Sequence, residues 1–212
     1  MRLRIPNSIK NKFYDLEDAF FERRHGLDLN GIVPSGNLVA ADISSGSHAS
    51  AYQAAWCSNL RELFAQAKKV SRAFEYFVDV GSGKGKACFF AARTSLFDKM
   101  IGVEFSAPLV QVANSNRERF GNANITFLNG DANEYLLPDG KSLVFLFNPF
   151  DDVILEKFIS NNVDHFRKHR SLIAYSNDIH RATLTRLGFE TIFSNPGTKN
   201  SLFRYAGAAA PA

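Results

Sequence analysis

The chain has 212 residues, of which 45% are hydrophobic, and this is enough to bury a full core in one domain with an extension. The two cysteines, Cys57 and Cys88, show no metal-ligand spacing and predict buried thiols rather than a disulfide framework. No apolar run approaches the length of a membrane-spanning helix, so we expect a soluble, cytoplasmic protein that has no membrane among its partners.

The net charge of +4 comes from a short N-terminal arm. Residues 1–12 contain Arg2, Arg4, Lys10 and Lys12 and no acid, so the other 21 of the 25 basic residues face 21 acidic ones. A neutral body argues against a general nucleic-acid-binding protein. The arm alone can contact nucleic acid or an acidic partner, and a solvated terminus is the simpler interpretation.

Residues 1–70 predict a helical extension that acts as a lid. A helix over residues 8–25 would dock through one apolar stripe formed by Ile9, Phe13, Leu16 and Phe20. Residues 27–47 are rich in Gly, Pro, Ser and Asn, which predicts a long loop. A second helix, from about residue 49 to 70, would align Tyr52, Trp56, Leu60, Leu63 and Ala67.

From residue 74 onward, short apolar runs alternate with helical stretches. The runs are FEYFVDV (74–80), MIGVEF (100–105), NITFLNG (124–130), SLVFLFN (142–148) and RSLIAYS (170–176). This rhythm predicts a Rossmann-like, doubly wound and mostly parallel α/β sheet. The last two runs, FETIFSN and SLFRYA, are separated only by PGTKN, which predicts a C-terminal antiparallel hairpin and seven strands in total. We expect this domain to span residues 71–206 and residues 207–212 to form a flexible tail.

The stretch FVDVGSGKGKAC at 77–88 is a glycine loop of a particular spacing. A Walker A loop would need four residues between its first Gly and Gly-Lys-Ser/Thr, and this loop has neither that spacing nor the hydroxyl. The dinucleotide fingerprint would need a small residue where Lys86 stands. The remaining pattern is G-x-G-x-G at Gly81, Gly83 and Gly85, preceded by Asp79 at the strand end.

Four motifs together resemble the class I S-adenosylmethionine-dependent methyltransferases. They are VDVGSGKGK at 78–86, GVEFS at 102–106, NGDANEY at 129–135 and FLFNPF at 145–150. The first two forms look closest to a group of uncharacterised bacterial methyltransferases and, more distantly, to the non-SET histone lysine methyltransferases. The resemblance covers residues 74–206 well and residues 25–60 loosely.

The resemblance implies S-adenosylmethionine as the cofactor and an ordered set of contacts. Glu104 ends the second strand, where a carboxylate can accept both ribose hydroxyls in a doubly wound sheet. Asp131 resembles the family's adenine-contacting acid, and Tyr52 lies in the segment that folds over the cofactor. The predicted cofactor-binding residues are Asp79, Gly81, Ser82, Gly83, Lys84, Gly85, Glu104, Phe105, Asp131, Ala132, Asn148 and Tyr52.

Several of these residues have a simpler interpretation, which the sequence leaves open. Glu104 and Asp131 can cap the helices that follow them, and Tyr52 can belong to the core. Lys84 and Lys86 oppose the dipole of the helix that follows, which a ligand carboxylate would offset; solvated surface lysines are the alternative.

The acceptor side is predicted from FLFNPF, which resembles the N-P-P-Y/F element of amino-group methyltransferases without its second proline. We therefore assign Asn148, Pro149 and Phe150 as catalytic, acting on an amine nitrogen of a protein or other macromolecule. Asp151 or Asp152 can assist deprotonation, and nothing in the sequence selects either. Methyl transfer from a sulfonium needs no metal, because positioning supplies much of the rate, and none is expected.

Two other function classes stay open. A non-catalytic sensor of S-adenosylmethionine or S-adenosylhomocysteine would keep the glycine loop and use the basic arm to bind a partner. A nicotinamide-dependent oxidoreductase would share the parallel sheet, but Lys86 and the closing hairpin both argue against it.

Overall fold

A computed structural model of the protein describes residues 7–34, 52–122 and 124–207, with side chains from residue 12 onward. Most of the basic arm, the loop residues 35–51 and the tail residues 208–212 lie outside this part, so the predictions about them stay predictions. No helix among the described residues is long and apolar enough to cross a membrane.

Seven strands form one sheet, and their order is β3-β2-β1-β4-β5-β7-β6. Neighbours are parallel from β3 to β5, whereas β7 runs antiparallel to both β5 and β6. The strands are β1 (Phe74–Val80), β2 (Phe97–Glu104), β3 (Ile125–Asn129), β4 (Ser142–Phe147), β5 (Leu172–Ser176), β6 (Phe189–Asn195) and β7 (Asn200–Tyr205). The predicted Rossmann-like sheet with its C-terminal hairpin is confirmed.

Helices cover both faces of this sheet. They are α1 (Asn7–His25), α2 (Cys57–Val70), α3 (Lys86–Ala91), α4 (Ala107–Phe120), α5 (Asp152–His169) and α6 (Arg181–Arg186). Alternating strand residues divide the core: Phe77 and Phe145 pack with α2, α3 and α4, while Val78 and Val144 pack with α5 and α6. Cys57 and Cys88 are free, buried thiols.

The prediction of how α1 docks is wrong. Phe13, Leu16 and Phe20 are 64%, 67% and 64% exposed, and the helix instead buries Phe21. The docked face also carries Asp18, which pairs with Lys86 Nζ at 2.6 Å. An apolar periodicity cannot show this, because the docked side of the helix is held partly by a carboxylate.

The second helix begins at Cys57 and not near residue 49, although Leu60, Leu63 and Ala67 are buried as predicted. Tyr52 lies in an antiparallel bridge with Val33, with N···O distances of 2.9 and 3.2 Å. The Cys57 N–H donates to Asp18 Oδ1 of α1 at 2.9 Å. A carboxylate 39 positions earlier in the chain thus satisfies a backbone donor at the start of α2.

Candidate cofactor and active site

The glycine loop between β1 and α3 lies at the carboxyl end of the sheet. Gly81 and Gly83 have φ values of +82° and +51°. A Cβ on Gly81 would overlap the Pro149 ring, and a Cβ on Gly83 would overlap the Tyr52 ring. Both positions therefore require glycine twice over, for backbone conformation and for the close approach of a neighbouring ring.

Glu104 is placed at this loop by the end of β2, and its side chain is buried. Its Oε2 accepts from the Gly83 N–H and its Oε1 from the Ser106 N–H, both at 2.9 Å. Burial raises the pKa of its carboxyl, and the backbone hydrogen bonds partly offset the rise. Each oxygen keeps acceptor capacity, so Glu104 can fix the loop and still bind a hydroxyl.

Asp79 is the second buried acid of the site, at the end of β1. Burial, together with the neighbouring Glu104 charge, raises its pKa to about 8. Among the described residues no donor bonds to its carboxylate, and it lines a cavity with Tyr52, Ser82 and Lys86. The Ser82 hydroxyl is also buried without a hydrogen-bond partner in the described part. A cationic group in this cavity would pair with Asp79 and remove the penalty of its burial.

Residues 27–34 precede the glycine loop in the chain and are hydrogen-bonded to it, and we call them the lid segment after the role predicted for them. Tyr52 fixes this segment because its hydroxyl donates to Leu29 O at 2.8 Å, and burial raises the pKa of that hydroxyl. Lys84 Nζ donates to Asp28 Oδ1 at 2.7 Å and to Asn30 O at 2.6 Å. The lid segment is thus tied to the glycine loop by a phenol and an ammonium group.

Asn116 of α4 is a further tie, and sequence reasoning missed it. Its Oδ1 accepts from Asp28 N–H at 2.8 Å, and its Nδ2 donates to Asp28 O at 2.8 Å and to Lys84 O at 3.2 Å. One fully buried side chain therefore holds the lid segment and the glycine loop together. A signal existed: Asn116 continues the buried stripe of Leu109 and Ala113, where an apolar residue is expected.

The two loop lysines are both engaged by the N-terminal region. Lys84 binds the lid segment, as above, and Lys86, 5% exposed, pairs with Asp18. The interpretation of Lys86 as a solvated surface residue is therefore wrong. Because each ammonium already has a carboxylate partner, neither depends on a ligand to offset the helix dipole.

The end of β3 lies beside Glu104 on the other side of the loop. Gly130 N–H donates to Glu104 O at 3.0 Å, and Asn129 Nδ2 donates to Glu104 O at 3.0 Å and to Phe105 O at 2.9 Å. Asp131 accepts from the Asn133 N–H at 2.8 Å, which is a cap on the turn it begins. Ala132 is partly buried against the core beside that turn. Asp131 and Ala132, which are predicted to contact adenine, thus follow directly on a residue that is hydrogen-bonded to Glu104. Asp131 also caps the turn that it begins.

The predicted acceptor residues follow β4 directly. Asn148 has φ +44°, and its buried Oδ1 has no hydrogen-bond partner in the described part of the chain. Pro149 packs on Gly81, which places Asn148 next to the glycine loop. Phe150 is buried and belongs to the core under α5, so its ring supports this segment from below. Asp151 caps α5 by accepting from Val153 and Ile154 N–H at 3.1 and 3.2 Å.

Among the residues that the structure describes, no group of three or more His, Cys, Asp or Glu side chains is arranged to hold a metal ion. The site instead contains two buried acids, Asp79 and Glu104, beside the glycine loop. It also contains the side-chain amide oxygen of Asn148, which has no donor in the described part of the chain. These groups fit a ligand that carries a cationic group, a diol and no phosphate.

A family model described as a methyltransferase domain matches residues 71–177. This is half of the chain, and the chain therefore belongs to that family, as its four motifs predict. No curated protein matches the chain in sequence.

Solved structures of low sequence identity share the fold. TrmN from Thermus thermophilus has a TM-score of 0.54 at 15% identity, over 71% of this chain and 49% of that one. The N-methyltransferase NodS from Bradyrhizobium japonicum WM9 has a TM-score of 0.50 at 9% identity, over 71% and 96% of the two chains. A point mutant of MtNAS, in complex with S-adenosylmethionine, has a TM-score of 0.50 at 16% identity, over 71% and 63%.

Proposed function

We propose that this protein transfers the methyl group of S-adenosylmethionine to an amine nitrogen of a protein or another macromolecule in the cytoplasm. The chain belongs to the methyltransferase family, and S-adenosylmethionine is its cofactor. The observation that carries the choice of an amine is the buried Asn148 Oδ1, an acceptor that has no donor in the described part of the chain and lies beside the glycine loop.

The cofactor residues divide the ligand among three strand ends. Asp79 would take the methionine ammonium group, because it is a buried carboxylate that no described donor satisfies. Glu104 would accept from the ribose hydroxyls with the lone pairs that Gly83 and Ser106 leave free. Asp131 and Ala132 would lie at the adenine. When bound, the cofactor supplies a methyl group on a sulfonium, which a neutral nitrogen attacks in line.

The chain's own contribution at the acceptor is positioning. Asn148 Oδ1 would accept an N–H of the amine and aim its lone pair at the methyl carbon. Pro149 packs on Gly81 and so fixes the backbone next to Asn148 against the glycine loop. Asp151 caps α5, and Asp152 is exposed to solvent. The position of neither carboxylate therefore supports a role as the base that deprotonates the amine.

The lid segment would exclude water from this reaction. Its ties to the loop through Tyr52, Lys84 and Asn116 hold it over the cavity that Asp79 lines. A dry cavity strengthens the charge interactions of Asp79 and Glu104 with a cationic cofactor. A protein acceptor, rather than a small molecule, is favoured only by the distant resemblance to lysine methyltransferases.

The test is methyl transfer from labelled S-adenosylmethionine to a cell lysate separated into protein, nucleic-acid and small-molecule fractions. We expect label in the protein fraction. Asn148→Gly removes the amide and relaxes the positive φ, and it should slow transfer by about a hundredfold because the nucleophile loses its orientation. The sequence also predicts Asn148 as a cofactor contact, and the affinity for S-adenosylhomocysteine separates the two roles: it should stay within about twofold of wild type if the amide holds only the acceptor.

Arg170→Gly is the matched control, because Arg170 also has a positive φ, +51°, and lies at the end of α5 away from the site. It should transfer methyl groups at the wild-type rate. Label in no fraction, with S-adenosylhomocysteine still bound, would reject the enzyme in favour of a non-catalytic sensor. Label that Asn148→Gly leaves undiminished would reject the role of Asn148.

A further inference from the structure

One face of α1 exposes three large apolar side chains to solvent. Phe13, Leu16 and Phe20 follow one another at spacings of three and four, which brings them onto one side of the helix. Each of the three side chains is mostly exposed. We call this stripe the outer face of α1. Three adjacent large apolar residues are a patch rather than scattered exposure, and such patches mark interaction sites.

Three of the four acids of α1 are engaged by other parts of the protein. Glu17 is paired with Arg61 of α2, and Asp18 is paired with Lys86 in the site. Glu22 accepts from Leu29 N–H at 2.7 Å in the lid segment. The fourth acid, Asp15, lines the groove between α1 and the lid segment. Three of the four negative charges of the helix are therefore directed at its own protein, and the exposed Asp15 is not one of the stripe residues.

The cations of α1 border the outer face instead. Lys12 is four residues before Leu16, and Arg23 and Arg24 are three and four residues after Phe20, so all three lie beside the stripe. All three side chains are exposed. The sequence before them adds Arg2, Arg4 and Lys10 and no acid. The outer face is thus an apolar stripe inside a basic border.

This charge pattern decides between partners. A second copy of the chain would bring one basic border against another, which opposes pairing. Nucleic acid would neutralise the cations but leave Phe13, Leu16 and Phe20 against solvated phosphates. A surface with anionic head groups above a hydrocarbon layer satisfies both parts, because the stripe enters the layer and the cations stay with the head groups.

We propose that the outer face of α1 binds the protein to anionic phospholipid membranes, with α1 lying in the plane of the interface. The stripe would enter the boundary between head groups and acyl chains, while Lys12, Arg23 and Arg24 meet the phosphates. The opposite side of the same helix holds Lys86 and the lid segment, so a membrane-bound protein would keep its cofactor site beside the bilayer surface. This inference is independent of the acceptor proposed above.

The test is flotation of the full chain, without cofactor, with vesicles of phosphatidylcholine alone or with about 30 mol% phosphatidylserine. We expect binding only to the anionic vesicles, weakening as salt is raised. Leu16→Ser should weaken the partition coefficient roughly five- to tenfold, because a side chain that enters the layer is lost. Leu136→Ser is the matched control: Leu136 is 66% exposed, against 67% for Leu16, and lies outside α1.

Two results would overturn the proposal on the vesicles. One is failure of the wild-type protein to float with anionic vesicles. This is the result expected if the outer face binds an acidic protein instead of a membrane. The other is equal binding by Leu16→Ser and wild type, which would reduce the effect to unspecific charge attraction. Light scattering adds a third: a wild-type dimer that Leu16→Ser converts to a monomer would make the outer face an interface between copies.

Discussion

Asp79→Asn gives a sharp perturbation of the site, because the structure buries this carboxylate without a described donor. Its pKa is raised from 3.8 to about 8, so the folded protein binds the proton more tightly than the unfolded chain does. Stability from this group is therefore complete below pH 4 and falls as the pH rises toward 8, by up to about 1.4 kcal/mol per pH unit. Between pH 4 and 7 the loss sums to about 4 kcal/mol at most.

An asparagine does not ionise, so the variant should lack this loss. Urea unfolding of the ligand-free proteins across pH 5 to 8 should show the variant becoming more stable relative to wild type as the pH rises. Asp178→Asn is the control: Asp178 is also buried, but it accepts from Ser201 Oγ at 2.5 Å and pairs with Arg181. Its replacement should destabilise the protein.

Ligand binding should change in the opposite direction. Loss of a charge-assisted contact to the methionine ammonium group costs about 2 kcal/mol, or roughly thirtyfold in affinity for S-adenosylhomocysteine. Near pH 7, wild-type Asp79 should also release close to one proton on binding, which calorimetry detects by comparing buffers of different ionisation enthalpy. A variant that is less stable at pH 8 and binds as well as wild type would refute this reasoning, since the carboxylate would then be structural.

Two further predictions concern the same loop. Glu104→Ala should weaken S-adenosylhomocysteine binding by about 2 kcal/mol, roughly thirtyfold, through loss of the ribose contact and of the Gly83 hydrogen bond; unchanged calorimetric affinity would place the ribose elsewhere. Asn116→Ala should loosen the lid segment and speed ligand dissociation about tenfold in stopped-flow measurements. Asn114 lies on the same helix, and its side chain donates to Val110 O at 3.1 Å. Asn114→Ala should therefore release the ligand at the wild-type rate, and equal dissociation rates in both variants would contradict the role of Asn116.

The sheet could be predicted from the sequence because its signals are local. Each buried strand is an apolar run bounded by Gly, Asn or a charged turn, and β1 and β6 match their predicted ranges residue for residue. The placement of Asp79 and Glu104 at one edge follows from the topology alone, because the carboxyl ends of parallel strands meet there. The predicted contacts of each residue with the cofactor stay predictions.

The N-terminal region could not be predicted in this way, because polar contacts between distant residues decide it. Asp18 carries no distinguishing signal in the sequence, yet it caps α2 and pairs with Lys86, and these contacts select the buried face of α1. Asn116 likewise bonds Asp28, 88 positions away. For Phe150, a local motif gives the wrong position of a side chain. The motif predicts a ring that packs over the acceptor, whereas the Phe150 ring is buried in the core and supports the neighbouring backbone.

The central claim is methyl transfer to an amine, and mass spectrometry of the acceptor tests it most directly. The wild-type protein is incubated with S-adenosylmethionine and the lysate fraction that takes up label, and peptides are mapped. We predict a gain of one CH₂ unit at a lysine or another amine nitrogen, formed about a hundredfold more slowly with Asn148→Gly and at the wild-type rate with Arg170→Gly. A gain of the same mass at an oxygen or carbon atom would contradict the amine assignment, and no gain in any fraction would contradict methyl transfer itself.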